Sequence, residues 1–256
     1  MKSLATFLFL LAAVLFANSG YAFAKPHPAV KVNAPEITDR QLSGFNSIKI
    51  QGPFEVHIRQ GSTESVKLDA PEEIKDRIVT EVNNGILKIH KKYDNWGWSD
   101  KSWWSDKSWW RRNPKKIAVY ITAKDLNSIS ISGSGNIVFK EGITANSLKL
   151  KVRGSGSMDG KIEVKTLESH ISGSGNLKLS GTAESSTVKI AGSGNFSARN
   201  LITANSAARV SGSGRAEINA SDKVDATVHG SAGVSYTGTA KIVNSSKSGS
   251  GEINRF

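Results

Sequence analysis

One stretch of the chain concentrates the side chains best suited to binding. Tyr93 to Asn113 contains all six tryptophans and carries the string Trp-Ser-Asp-Lys-Ser-Trp twice. Indole rings beside cations suit a surface that sits at a membrane interface or stacks on sugar rings. The candidate binding residues are Trp96, Trp98, Trp103, Trp104, Trp109, Trp110, Arg111, Arg112, Lys115 and Lys116.

The charge of the chain favours an anionic partner. The formal net charge is +12, and nine Lys and Arg against three Asp lie between Lys88 and Lys116. A basic protein outside the cytoplasm favours anionic lipid, lipopolysaccharide or acidic polysaccharide. Another envelope protein is a further candidate partner, whereas nucleic acid is not expected there.

Neither helical nor strand periodicity describes this Trp-rich stretch, so we expect residues 93–116 to form a loop inserted between two strands. Two alternatives to binding stay open. The tryptophans would form a hydrophobic cap over one end of the fold, or the loop would be an expanded segment without a function.

Catalytic groups are not gathered anywhere in the sequence. The five His are scattered without metal-ligand spacing, and there is no Cys. Asp159, Asp222 and Asp225 fall at unmatched repeat positions. The outward basic residues are predicted to lack accompanying carboxylates; they are Lys149, Lys151, Arg153, Lys178 and Lys189. We therefore expect no enzyme, no catalytic residue, no metal and no cofactor.

Glycine-containing strings recur at regular intervals in the C-terminal half. Seven Gly-Ser-Gly-like strings occur, and their first glycines are 21, 19, 19, 20, 18 and 19 residues apart. These glycines begin at Gly133, Gly154, Gly173, Gly192, Gly212, Gly230 and Gly249. A flexible linker shows no such period, and Gly reaches the backbone angles of a sharp corner.

Apolar residues recur at fixed offsets from each corner. Two positions before the first Gly stand Ile131, Val152, Ile171, Ile190, Val210 and Val228, with Lys247 as the exception. Four positions after it stand Ile137, Met158, Leu177, Phe196, Ala216, Val234 and Ile253. Because single strands of this kind cannot bury themselves, stacked coils are required. The fold prediction is an all-β parallel β-solenoid of seven coils of about twenty residues.

A shorter β-rich part of the same domain precedes the repeats. Strands are predicted over Phe45 to Ile50, Phe54 to Ile58, Val66 to Leu68, Ile78 to Val82, Ile86 to His90 and Ile117 to Ile121. The turn at Asn83-Asn84-Gly85 predicts a hairpin. A short helical turn is expected after Pro71.

The N-terminus predicts export. A charged start, an apolar run from Leu4 to Phe16 and the site Ala22-Phe23-Ala24 are typical of a signal peptide, 1–24. Residues 25–43 are then expected to be a flexible arm and 44–256 the solenoid domain. No later segment has spanning length, so we expect a periplasmic, cell-surface or extracellular protein with no transmembrane segment after cleavage.

Several motifs resemble the head GIN domain family, labelled putative auto-transporter adhesin. They are Phe54-Glu-Val-His-Ile-Arg-Gln-Gly61, Asn84-Gly-Ile-Leu-Lys-Ile89 and the recurrent Ser-Gly-Ser-Gly-Asn. The resemblance covers roughly residues 44–255 and implies an exported β-solenoid with an adhesin-like role.

Three functional hypotheses follow from these observations. The first is a non-enzymatic envelope binding protein that presents the basic Trp-rich loop to anionic lipid or glycan. The second is a structural or protein-interaction solenoid that self-associates at an open end. The third, a polysaccharide-active enzyme of the β-helix type, is the weakest because its acidic residues are not clustered.

Overall fold

The structure is a computed structural model that describes residues 37–92 and 117–256. Of these residues, 74% lie in strands and 2% in a helix, and they form a parallel β-solenoid of about seven turns. The predicted fold class is confirmed. The signal peptide and most of the predicted arm lie outside the described residues.

The N-terminal part contains short strands and one helix. Its elements are β1 (Ile37–Asp39), β2 (Ser47–Gln51), β3 (Glu55–Gln60), β4 (Ser65–Asp69), α1 (Glu72–Lys75), β5 (Ile78–Asn83), β6 (Ile86–Lys91), β7 (Ala118–Ala123) and β8 (Ser128–Gly133). The predicted strands, the hairpin between β5 and β6 and the helical turn are all present. β1 lies within the predicted arm 25–43 and pairs antiparallel with β4.

The repeats form long strands that bend at the corners. They are β9 (Asn136–Gly154), β10 (Ser157–Gly173), β11 (Asn176–Gly192), β12 (Asn195–Gly212), β13 (Arg215–Gly230), β14 (Gly233–Thr237), β15 (Ile242–Ser248) and β16 (Glu252–Arg255). Neighbouring coils pair in parallel with their glycines aligned, as Gly154, Gly173 and Gly192 are.

Two faces of the solenoid meet at the glycine corners. Face 1 consists of the segments that follow a corner, in the order β1, β4, β7, β3, β9, β10, β11, β12, β13, β14, β16. Face 2 consists of the segments that lead into a corner, in the order β5, β6, β2, β8, β9, β10, β11, β12, β13, β15.

The two predicted apolar rows point into the solenoid. Every member of both rows up to Val234 is at most 2% exposed, and the rows pack into one continuous core. Lys247 and Ile253 belong to the final turn, where β15 is exposed along its whole length and Ile253 is half-buried. The alternation of apolar and polar residues in the sequence therefore matches the side chains that point into the core and out to solvent.

The corner glycines are required by geometry. Gly173 has φ +110°, and a Cβ placed there would lie 2.6 Å from the Gly154 carbonyl oxygen of the previous coil. At Gly175 a Cβ would lie 2.6 Å from the Gly156 carbonyl oxygen. The Ser174 N–H donates to the Gly154 carbonyl oxygen at 2.9 Å. The corners therefore act as scaffold, as the sequence predicts.

Asn side chains beside the corners form a ladder in part. Ser157 Oγ donates to Asn136 Oδ1 at 2.7 Å, and Asn195 Nδ2 donates to Asn176 Oδ1 at 2.9 Å. No hydrogen bond joins the side chains of Ser157 and Asn176 within the described residues, although the two are aligned. The side chains therefore form two separate hydrogen-bonded pairs and not a continuous ladder.

Strands β6 and β7 flank the Trp-rich stretch in the sequence, and both pair with strands of the neighbouring coil. Strand β6 aligns His90 with Gln51, and β7 aligns Ala118 with Glu55. In the neighbouring coil only residues 52–54 join the corresponding strands, β2 and β3. Residues 93–116 follow β6 and precede β7 in the sequence, and the prediction that they form an inserted loop lies outside the described residues.

Candidate functional site

The ten binding residues predicted in the Trp-rich loop lie outside the described part of the chain. They are Trp96, Trp98, Trp103, Trp104, Trp109, Trp110, Arg111, Arg112, Lys115 and Lys116. Their role in binding remains a prediction.

Face 2 carries a row of basic side chains that runs across the strands. Seven outward positions are aligned from β6 through β2, β8, β9, β10 and β11 to β12. In spatial order they are Lys88, Lys49, Ser130, Lys151, His170, Lys189 and Arg209. We call this set the basic row. Adjacent positions are separated by the strand spacing, about 4.8 Å.

The repeat explains the alignment. Residues three positions before each first glycine share one outward column, because the coils pair in register through their corners. That position holds Lys151, His170, Lys189 and Arg209 in four successive coils. In the next coil it holds Thr227, so the row ends there.

The central cations of the row are available to a ligand. Lys151 is half-buried, and Lys189 and Arg209 are exposed. Within residues 37–92 and 117–256, none of the three makes an ion pair or a side-chain hydrogen bond. Like charges directly opposite each other in a sheet are destabilising. Their alignment therefore does not stabilise the fold, but it does concentrate positive potential along one line.

A shallow groove of about 560 Å³ lies over this part of face 2. Its ionisable lining residues are Lys149, Lys151, Arg153, Glu168, His170, Lys189 and Arg209. Six of these seven are basic residue types. The groove is therefore an open electropositive surface of the kind that attracts anions.

Glu168 is the acidic member of this groove. Its Oε2 lies 2.6 Å from Lys149 Nζ, and its Oε1 lies 2.6 Å from His170 Nε2. Hydrogen bonds from Lys149 and then His170 lower the pKa of Glu168 to about 2. The prediction that the outward cations lack carboxylates is therefore wrong for Lys149. An ionised carboxylate cannot donate a proton near neutral pH, so this contact holds β9 to β10.

The other candidates for chemistry are dispersed. His229 is exposed and His170 half-buried, which agrees with the solvent-facing positions predicted for both. Among residues 37–92 and 117–256, no group of three His, Asp or Glu could hold a metal ion. No helix in the same residues is long and apolar enough to cross a membrane.

The row was detectable in the sequence. The position three residues before the first glycine holds a basic residue type in four consecutive coils, so the repeat itself carries the signal. The sequence does not indicate that Lys49 on β2 and Lys88 on β6 join the row, because the order of these strands in the sheet differs from their order in the sequence.

Solved structures share this fold. A crystal structure of a putative adhesin from Bacteroides fragilis is 25% identical and covers 88% of this chain and 98% of its own, with a TM-score of 0.76. A putative lipid binding protein from Parabacteroides distasonis is 22% identical and covers 88% and 98%, with a TM-score of 0.67. A putative adhesin from Parabacteroides merdae is 20% identical and covers 88% and 97%, with a TM-score of 0.66.

A comparison with curated proteins finds no match to this chain. A comparison with protein families finds one that is described as "Putative auto-transporter adhesin, head GIN domain" and matches residues 44–240. That match covers six of the seven corners, both apolar rows up to Val234 and the whole basic row. The chain therefore belongs to the head GIN domain family of putative auto-transporter adhesins.

Proposed function

We propose that this protein is a non-enzymatic, adhesin-like binding protein of the bacterial envelope, and that it holds a linear anionic polysaccharide along the basic row. The observation that carries the proposal is the alignment of Lys151, Lys189 and Arg209, which have no anionic partner among the described residues. Membership of an adhesin family supports binding as the role.

The geometry of the row favours a polymer. The basic residues follow one line across the stacked strands, so an extended chain lying across β9 to β12 meets Lys151, His170, Lys189 and Arg209 in four successive coils. Each contact of this exposed kind contributes about 0.2–1 kcal/mol. A polymer that engages several of them together gains a useful affinity, whereas a single small anion does not.

The Trp-rich insert is proposed as a second contact for the same ligand. It follows β6, the strand that also carries Lys88 at the start of the basic row. Its six indole rings would stack on sugar faces, and Arg111, Arg112, Lys115 and Lys116 would add charge. Export through the signal peptide 1–24 places the protein in the periplasm or at the cell surface under this proposal.

Binding of polygalacturonate, a linear anionic polysaccharide, tests the row. The variant Lys151→Gln/Lys189→Gln/Arg209→Gln removes three cations from it. The matched control Lys161→Gln/Lys165→Gln/Lys178→Gln removes three exposed cations that lie outside the row. We expect the row variant to lose about 2 kcal/mol, or about thirtyfold in affinity, and the control less than about threefold. Equal losses would mean that only net charge matters, and would refute the row as a site.

Two further binding experiments distinguish the class of ligand and measure the contribution of the Trp-rich stretch. Neutral dextran should not bind. Phosphatidylglycerol vesicles test the lipid alternative, which the name of one structural neighbour suggests. Binding to vesicles but not to polygalacturonate would overturn the polysaccharide proposal. Deletion of residues 94–113 should weaken polygalacturonate binding, and unchanged affinity would remove the insert from the function.

A further inference from the structure

A second pocket lies on face 1, where two neighbouring strands separate. Strand β3 pairs with β9 only from Glu55 to His57, although it pairs with β7 as far as Gln60. The Gln60 side chain closes the far end of the opening. Its Oε1 accepts from the Thr144 N–H at 2.8 Å, and its Nε2 donates to the Thr144 carbonyl oxygen at 3.1 Å.

The opening leaves a pocket of about 400 Å³. Its lining includes His57, Arg59, Lys67, Tyr120, Val138 and Lys140. Glu141 and Ser65 also contribute, so three cations face one carboxylate. The pocket therefore carries a net positive lining on the face that does not contain the basic row.

An aromatic pair forms part of the pocket. The rings of His57 and Tyr120 are aligned on adjacent strands, with centroids 5.2 Å apart and planes 14° apart. A cross-strand pair of this kind stabilises a sheet by about 0.2–1 kcal/mol. Stabilisation alone does not require exposure, yet Tyr120 is 41% exposed and lines the pocket. Exposed ring surface beside cations is suited to a sugar ring.

Arg59 is held in place beside this pair. Its Nε donates to Thr122 Oγ1 at 2.9 Å, and this contact restrains the planar guanidinium group. Within the described residues Arg59 makes no ion pair, and neither does Lys67. The guanidinium therefore keeps free donors that suit the two oxygens of a carboxylate. Lys140 is weakly engaged, with its Nζ 3.8 Å from Asp159 Oδ2.

We infer that this pocket binds a single sugar unit that carries a carboxylate, with the ring against Tyr120 and His57 and the carboxylate at Arg59. The inference does not rest on the basic row, because the pocket lies on the other face. The pocket would then select one kind of sugar unit, whereas the basic row recognises the negative charge of the polymer.

Nuclear magnetic resonance titration of the isotope-labelled protein with D-glucuronate tests this site, with neutral D-glucose as the matched probe. We expect glucuronate to shift the resonances of Arg59 and Tyr120, and glucose to bind at least tenfold more weakly. Arg59→Gln should weaken glucuronate binding about tenfold, as expected for a lost charge-assisted pair. Arg59→Lys keeps the positive charge but removes the planar guanidinium group that donates two hydrogen bonds. It should therefore weaken glucuronate binding less than Arg59→Gln does.

Lys165→Gln is the control, because it removes an exposed cation that lines neither this pocket nor the groove on face 2, and it should leave glucuronate binding unchanged. The spectrum of each variant shows whether it is folded. If Arg59→Gln is misfolded, Tyr120→Leu takes its place in the same titration and should also weaken glucuronate binding. Equal affinity for glucose and glucuronate would overturn the inference. Shifts confined to face 2, or affinity that is unchanged in Arg59→Gln, would also overturn it.

Discussion

The long coils β9–β13 and the N-terminal strands β1–β8 build one continuous sheet in two different ways. The long coils pair in parallel and almost in register, so one repeat position becomes a straight row on the surface. The N-terminal strands include antiparallel pairs and a separation of β3 from β9. Regular pairing thus produces a line of charge, whereas irregular pairing produces a pocket.

The largest expected effect compares a glycine from each region. Gly173 and Gly44 both have positive φ, +110° and +78°. A Cβ at Gly173 meets the Gly154 carbonyl oxygen at 2.6 Å, whereas nothing lies within 4 Å at Gly44. Gly173→Ala should therefore lose about 4 kcal/mol of unfolding free energy, and Gly44→Ala about 1–2 kcal/mol. Urea unfolding measures both, and similar losses would contradict the steric role of the stacked corner.

The contrast between the regions also explains what could be predicted from the sequence. In the long coils, apolar offsets such as Val152 and Met158 repeat at every turn, so burial and corners were predictable. In the N-terminal part, individual strands were predictable but their order was not. Beside the separation of β3 from β9, the Gln60 side chain contacts Thr144, which is 84 residues away in the sequence. Only the folded chain brings those two residues together.

The Glu168 contact was missed for a related reason. Lys149 and Glu168 lie in different coils, and alignment between coils decides that they meet. The positions within a single coil give no sign of a bridge to the next coil, so this contact could not be predicted from them. β1 was missed because Ile37 to Asp39 is short and polar, and it becomes a strand only by pairing with β4.

A second prediction concerns β15, the edge strand that follows the long coils, and compares its inward and outward positions. Lys247 occupies an inward position of β15, aligned with buried Val228, and β15 is exposed along its length. An inward charge on an edge strand opposes pairing with another copy. Lys247→Val should therefore increase self-association relative to the parent protein, as measured by light scattering. Ser246→Val adds a similar apolar group at an outward position of β15 and should shift the equilibrium less. Equal assembly of both variants would contradict this role.

A smaller effect concerns pH. The pKa of Glu168 is lowered to about 2, so its ionised form stabilises the fold above the usual carboxyl range near 4.5. This contribution is lost as pH falls from about 4.5 towards 2. Glu168→Gln should therefore be less stable than the parent at pH 7, and the gap should narrow at pH 3. Glu81→Gln, which changes the looser 3.6 Å pair with Lys88 in the N-terminal part, is the control. A gap that is constant with pH would contradict the assignment.

The most direct test of the basic row moves one charge and keeps the composition. Thr187→Lys/Lys189→Thr shifts a cation by two residues along β11, out of the row and into the column of Lys149 and Glu168. Net charge is unchanged. If the alignment of charges binds the polymer, affinity for polygalacturonate should fall about fivefold, as it should for Lys189→Thr alone. Affinity equal to that of the parent protein would show that position in the row is irrelevant, and would contradict the proposed function.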